Sequence, residues 1–90
     1  MYCVYVLQDQ LDKGLYIGFT ENLRRRLQEH QTGKEGATTK KKYNWRLIYC
    51  EGYLNKYDAL GREKFLKGGS GRKYLKKQLK YYLELESCQK

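Results

Sequence analysis

Two short runs, Tyr2-Cys3-Val4-Tyr5-Val6-Leu7 and Leu15-Tyr16-Ile17-Gly18-Phe19, stand either side of the turn signal Asp12-Lys13-Gly14. β-Branched and aromatic residues dominate both runs, the composition of strands bounded by a turn. The spacing predicts an antiparallel hairpin with a loose loop. Side chains alternate across a strand, so Val4 and Val6 share one face and Tyr5 takes the other. Likewise Leu15 and Ile17 oppose Tyr16 and Gly18. The hairpin therefore has an aliphatic face and a tyrosine-bearing face, and Gly18 leaves open space beside Tyr16.

After the hairpin, Thr20 or Asn22 can cap a helix that runs to about Gln31 and stops at Gly33. Leu23 and Leu27 form its buried stripe, with Arg26 and His30 beside it and Arg24 and Arg25 pointing elsewhere. A lysine-rich loop over residues 34–44 contains Lys40-Lys41-Lys42, and residues 46–50 read as a third strand. Asn55 caps a second helix, with Asp58 in a capping-box-like position, that stops at Gly68-Gly69. Ala59, Leu60 and Leu66 make its apolar arc, and Glu63 lies inside that arc, about 40° from Ala59. A carboxylate on a buried face is costly unless it is paired or holds a metal. Ser70 would cap a final helix with Leu75, Leu79, Tyr82 and Leu83 inward and Lys73, Lys76, Lys77 and Lys80 as a basic stripe. The order ββαβαα predicts an α+β fold: a small three-stranded antiparallel sheet flanked by helices. One domain over residues 1–83 and a flexible tail over residues 84–90 are expected.

The chain has 90 residues, so it can bury a single modest core. Its 19 Lys+Arg against 10 Asp+Glu leave a net charge of +9. That surplus on so short a chain points to a polyanionic partner, nucleic acid before anionic membrane. No apolar run approaches the roughly 18 residues needed to span a bilayer, and the first residues carry no basic region or cleavage site of a signal peptide. The cysteines Cys3, Cys50 and Cys88 form no CxxC, and there is one histidine. These features argue against a disulfide framework and a structural zinc site, and for a reducing cytoplasm with Cys3 and Cys50 as small core residues. Gly68-Gly69-Ser70-Gly71-Arg72-Lys73 reads either as a phosphate-gripping turn or as a plain flexible one.

Val4-Tyr5-Val6 followed by Tyr16-Ile17-Gly18 resembles the two strand motifs of the GIY-YIG nuclease superfamily. The run from Tyr16 through Arg26 to His30 is similar to that family's signature from second strand into first helix. Tyr43-Asn44-Trp45-Arg46-Leu47 and the segment from Ala59 to Lys67 resemble its stand-alone, single-domain branch, related to the nuclease domain of the bacterial excision-repair endonuclease. The chain departs from the pattern at Val4, where the first motif has glycine, and at Phe19, where excision-repair relatives have lysine.

The resemblance implies a Mg²⁺- or Mn²⁺-dependent endonuclease or nickase acting on structured or damaged DNA, with RNA left open as substrate. It implies Tyr5 as general base, Tyr16 as an orienting group, Arg26 as the catalytic arginine, His30 as a second base or phosphate ligand, and Glu63 as the metal ligand. Lys40, Lys41, Lys42, Arg72, Lys73, Lys76, Lys77 and Lys80 are the expected nucleic-acid contacts, by charge. A nucleic-acid-binding module without catalysis, or a subunit whose protein partner supplies specificity, is the competing reading. The five site residues are expected to line one concave surface.

Overall fold

The hairpin forms as its alternation requires. In the computed structural model, which describes residues 1–32 and 44–88, β1 (Tyr2–Asp9) pairs antiparallel with β2 (Leu15–Thr20). The loop between them is tied by the Asp9 carboxylate, which accepts from Leu11 N–H at 2.7 Å and Asp12 N–H at 3.3 Å. After α1 (Leu23–Thr32), β3 (Trp45–Tyr53) pairs antiparallel with β1, giving the order β2-β1-β3. Three helices complete the order ββαβααα: α2 (Lys56–Lys67), α3 (Gly69–Gln78) and α4 (Lys80–Cys88). The Lys40-Lys41-Lys42 run lies outside the described residues.

The sheet is covered on both faces. Val4, Val6 and Ile17 bury with Ala59 and Leu66 of α2 and Leu75 of α3. The other face carries Tyr5, Leu7 and Trp45, packed with Tyr16 and with Leu23 and Leu27 of α1. Burying each large apolar side chain contributes about 1.5–3 kcal/mol, so both faces are needed to hold so small a sheet.

A bulge in β3 decides what its residues face. Val6 pairs with Tyr49 but Leu7 pairs with Leu47, leaving Ile48 as an extra residue. The extra residue reverses the alternation. Tyr49, Glu51 and Tyr53 therefore share the Val4/Val6 face, while Trp45 and Leu47 share the Tyr5/Leu7 face.

Several local expectations change. Asn22 caps α1, its side chain accepting from Arg25 N–H at 3.1 Å, and Thr20 instead ties the preceding turn. Asn55 caps α2 through Tyr57 N–H at 2.8 Å. The expected single last helix is two, broken at Leu79, and α4 continues to Cys88, past the expected tail boundary at residue 83. Tyr82 holds α4 to the sheet by donating to Gln8 Oε1 at 2.5 Å.

Most of the Gly68–Lys73 segment is helix rather than turn. Gly69 already begins α3, so Ser70 sits inside the helix rather than at its cap. Gly71 is buried where α3 meets α2, and a Cβ there would lie 2.1 Å from the Phe65 carbonyl oxygen. Close helix approach accounts for that glycine. Cys50 is exposed and Cys3 half-buried rather than both core.

Candidate active site

The tyrosine face of the hairpin meets the stripe of α1 and makes a small polar cluster. Tyr5 and Gly18 are directly paired across β1 and β2. The absent side chain at Gly18 is filled by the Tyr5 ring: a Cβ there would lie 2.4 Å from Tyr5 Oη. The Tyr5 hydroxyl is thus carried over β2, an edge strand of the sheet.

One turn of α1 apart, Arg26 and His30 converge on that hydroxyl. Arg26 Nε–H donates to Tyr5 Oη at 3.3 Å, and Tyr5 Oη lies 3.0 Å from His30 Nε2. Tyr5 and His30 are both fully buried. The Arg26 guanidinium is also held by Glu29, one turn on, at 3.4 Å.

Aromatic rings close the cluster. Tyr16 packs edge-on against His30 with centroids 4.8 Å apart, and Trp45 lies 6.0 Å from Tyr16 and 6.4 Å from His30. Gln31 fixes the Trp45 backbone by donating to its carbonyl at 2.6 Å.

Burial, and secondarily the Arg26 charge, pushes the His30 imidazole below its ordinary value, against a smaller opposing pull from Glu29. A neutral imidazole accepts one proton at Nε2 when its hydrogen is on Nδ1. With Arg26 donating to the Tyr5 oxygen, the phenolic hydrogen is available to Nε2. His30 Nδ1 has no hydrogen-bond partner among the described residues.

Lowering His30 has a stability consequence with a definite sign. The unfolded chain takes up its proton near pH 6.5 while the folded chain does so only at lower pH. Stability should therefore be complete above about pH 6.5 and fall as pH drops through the folded value. Thermal melts of wild type and His30→Gln between pH 7.5 and 5 check this. Wild type should lose more of its melting temperature on acidification than the variant; equal losses would refute it.

Four of the five expected site residues thus come together: Tyr5, Tyr16, Arg26 and His30. Glu63 is placed differently. Its helix α2 packs on the Val4/Val6/Ile17 face, across the sheet from Tyr5 and Tyr16, so the expectation of one shared face is corrected. The wheel placed Glu63 inside the apolar arc but could not say which face of the sheet that arc covers. The Glu63 carboxylate pairs with Lys67 at 3.2 Å and is 20% exposed. Among the described residues no cluster of three or more His, Cys, Asp or Glu side chains could hold a metal ion.

The basic residues of the last helices split in two. Arg72 and Lys76, one turn apart, border an apolar groove floored by Leu15, Ile48, Leu79 and Leu83. Lys73, Lys77 and Lys80 are exposed.

Sequence reasoning did not single out Trp45, Glu29, Glu51 or Arg62. Glu29 was visible as an i, i+3 partner of Arg26. Glu51 accepts from the Arg62 fork, Nε at 2.9 Å and a terminal nitrogen at 3.0 Å, from Tyr53 at 2.7 Å, and from Tyr49. Burial raises the Glu51 carboxyl, but the hydrogen bonds from Arg62, Tyr49 and Tyr53 outweigh it and hold the group below its ordinary value.

The paired strands of the three-stranded sheet thus bring two tyrosines to an arginine and a histidine on the next helix. The profile of the GIY-YIG catalytic domain matches residues 1–78, and the chain belongs to this family. Among curated proteins it is similar to a UPF0213 protein of Limosilactobacillus reuteri, 37% identical over 86 residues, covering 93% of this chain and 88% of the relative. A UPF0213 protein of Oceanobacillus iheyensis is 38% identical over 60 residues, 67% of this chain and 69% of that one. One from Streptococcus pneumoniae serotype 4 is 39% identical over 64 residues, 71% of this chain and 64% of that one. No solved structure matches the chain. No helix among the described residues is long and apolar enough to cross a membrane.

Proposed function

We propose that this protein is a divalent-metal-dependent endonuclease or nickase that hydrolyses phosphodiester bonds in structured or damaged DNA, in repair or recombination in the cytoplasm. The observation that carries the reading is the Tyr5 oxygen set between Arg26 Nε at 3.3 Å and His30 Nε2 at 3.0 Å.

That geometry suits proton transfer from a water molecule. As water attacks phosphorus, its proton passes to the Tyr5 oxygen while the phenolic proton passes to neutral His30 Nε2. A new P–O bond forms, the bond to the leaving oxygen breaks, and that oxygen is protonated from solvent. Arg26 offsets negative charge on Tyr5 and on the phosphate through charged hydrogen bonds. Tyr16, wedged between His30 and Trp45, holds the imidazole in its reactive orientation.

Glu63 is the proposed ligand for Mg²⁺ or Mn²⁺. A lone carboxylate fits Mg²⁺, which keeps several waters and takes phosphate oxygens as further ligands; it does not fit an all-protein cage. When bound there, the ion would supply Lewis acidity at the scissile phosphate. Lys67, 3.2 Å from the carboxylate, would give way to the ion. The exposed Lys73, Lys77 and Lys80, Arg72 and Lys76 at the groove, and Lys40, Lys41 and Lys42 are proposed to neutralise nucleic-acid phosphates.

The test is direct. Purified protein is incubated with labelled single-stranded, duplex, flap and branched DNA, with Mg²⁺, with Mn²⁺ or with chelator, and binding is measured from 50 to 200 mM salt. Metal-dependent cleavage and an affinity that falls steeply with salt are expected. Salt-dependent binding with no cutting of any substrate would replace the enzyme with a binding module. An affinity flat across that range would remove nucleic acid as the partner.

A further inference from the structure

Three sulfur atoms meet on one patch of the sheet, and the proposed phosphate chemistry uses none of them. Cys3 of β1 pairs directly with Gly52 of β3, and Tyr5, two residues on, pairs with Cys50. Residues two apart on a strand share a face, so Cys3, Gly52 and Cys50 all lie on the Tyr5 face. The third sulfur belongs to Met1. A Cβ on Gly52 would collide with Met1 Sδ and lie 3.2 Å from Met1 Cγ. The absent side chain at Gly52 is thus a notch on that face, and the Met1 thioether fills it. Met1 remains 75% exposed, so burial accounts for little of this placement. Cys50 is exposed and Cys3 half-buried, so solvent reaches the patch.

The spacing separates two chemistries. Directly opposed Cβ atoms on antiparallel strands are about 4.5–5.5 Å apart, and diagonal ones somewhat under about 7–8 Å. Cys3 and Cys50 are a diagonal pair. A disulfide needs Cβ atoms about 3.5–4.5 Å apart, so a direct S–S bond would require the strands to distort. An ion between the sulfurs removes that difficulty. Two metal–sulfur bonds of about 2.3 Å, the length of a zinc–thiolate bond, add up to about 4.6 Å to the reach of the pair.

The donors choose the ion. Two thiolates and a thioether are soft ligands, which select Cu(I). Structural zinc takes four ligands from cysteine, histidine or carboxylate, and the described residues hold no group of three such side chains. Cu(I) is satisfied by two or three sulfurs. Two thiolates around a monovalent ion leave one negative charge, which a chain of net charge +9 accommodates readily. We propose that Met1, Cys3 and Cys50 form a binding site for a soft monovalent cation, Cu(I), that clamps β1 to β3 beside Tyr5. Both thiols lose their protons to solvent as the ion enters, and no electron is transferred. The site does not depend on the nuclease reading.

Reduced protein is titrated under argon with Cu(I) in competition with bicinchoninate, and with Ag(I) as a redox-inert probe. Met1 is the one methionine of the chain, so labelling with [methyl-¹³C]methionine gives a single signal that reports on its thioether. One ion per chain should bind, the Met1 methyl should shift in step, and the exposed Cys50 should become protected from iodoacetamide. Cys50→Ser and Cys3→Ser should each weaken binding by at least on the order of 100-fold, beyond the 10- to 100-fold typical of an outer-shell partner. Cys88→Ser should bind as wild type. Cys50 is exposed, so its variant keeps the test alive if Cys3→Ser fails to fold. Binding that survives Cys50→Ser, a Met1 methyl that does not move, or one ion shared by two chains would each overturn the site. Displacement of Cu(I) by equimolar Zn²⁺ would overturn the choice of ion.

Discussion

Glu63→Gln should abolish metal-dependent cleavage while DNA binding stays near wild type or tightens slightly. The amide keeps the size and hydrogen-bonding capacity of the side chain but removes the charge that attracts a divalent cation. It also removes a negative charge from the phosphate path, which favours binding. The fold should tolerate the change, because the ion pair that the carboxylate makes is with Lys67, itself more than half exposed, and such pairs contribute little. Losing a group that acts only on transition-state charge costs on the order of 100-fold or more in rate. Arg26→Ala should give a different signature. It should lose cleavage to a similar degree but also weaken DNA binding modestly, since in the proposed mechanism the guanidinium contacts phosphate directly. Rate and affinity measured on the same two proteins separate the roles. Cutting by Glu63→Gln at the wild-type rate would assign the activity to another site.

Gly18→Ala should damage both activity and stability, although it adds a single methyl group. The added Cβ would lie 2.4 Å from Tyr5 Oη and 2.5 Å from Cζ. The Tyr5 ring is enclosed by Tyr16, His30 and the α1 stripe, so it cannot retreat without breaking its bonds to Arg26 and His30. Overpacking of this kind costs about 1–3 kcal/mol. For a domain of this size each kcal/mol lowers the melting temperature by about 4–8 °C. The folded fraction should lose cleavage further, because the hydroxyl is displaced from both partners. Thermal melts with single-turnover cleavage check the two effects. A Gly18→Ala protein with unchanged melting temperature and rate would show that the Tyr5 hydroxyl does not depend on that opening.

Period-two alternation made the hairpin legible: Val4, Val6 and Ile17 against Tyr5, Tyr16 and Gly18 follows from pleating alone. The wheel of the first helix put Arg26 and His30 beside Leu23 and Leu27, and both reach Tyr5 in the structure. These relations are local, set by backbone geometry within one element or across one turn. Trp45 was not legible as part of the cluster, because the bulge at Ile48 reverses the faces of β3 and nothing in the run of residues 45–53 marks it. The face of the sheet taken by α2, and with it the position of Glu63, was equally hidden. A wheel shows which side of a helix is buried but not what it is buried against. The Glu51–Arg62 fork joins residues eleven apart through the packing of α2 on β3. Such contacts depend on how separate elements dock, so the tertiary structure decided them, while the sequence alone determined the elements and the chemistry that each presents.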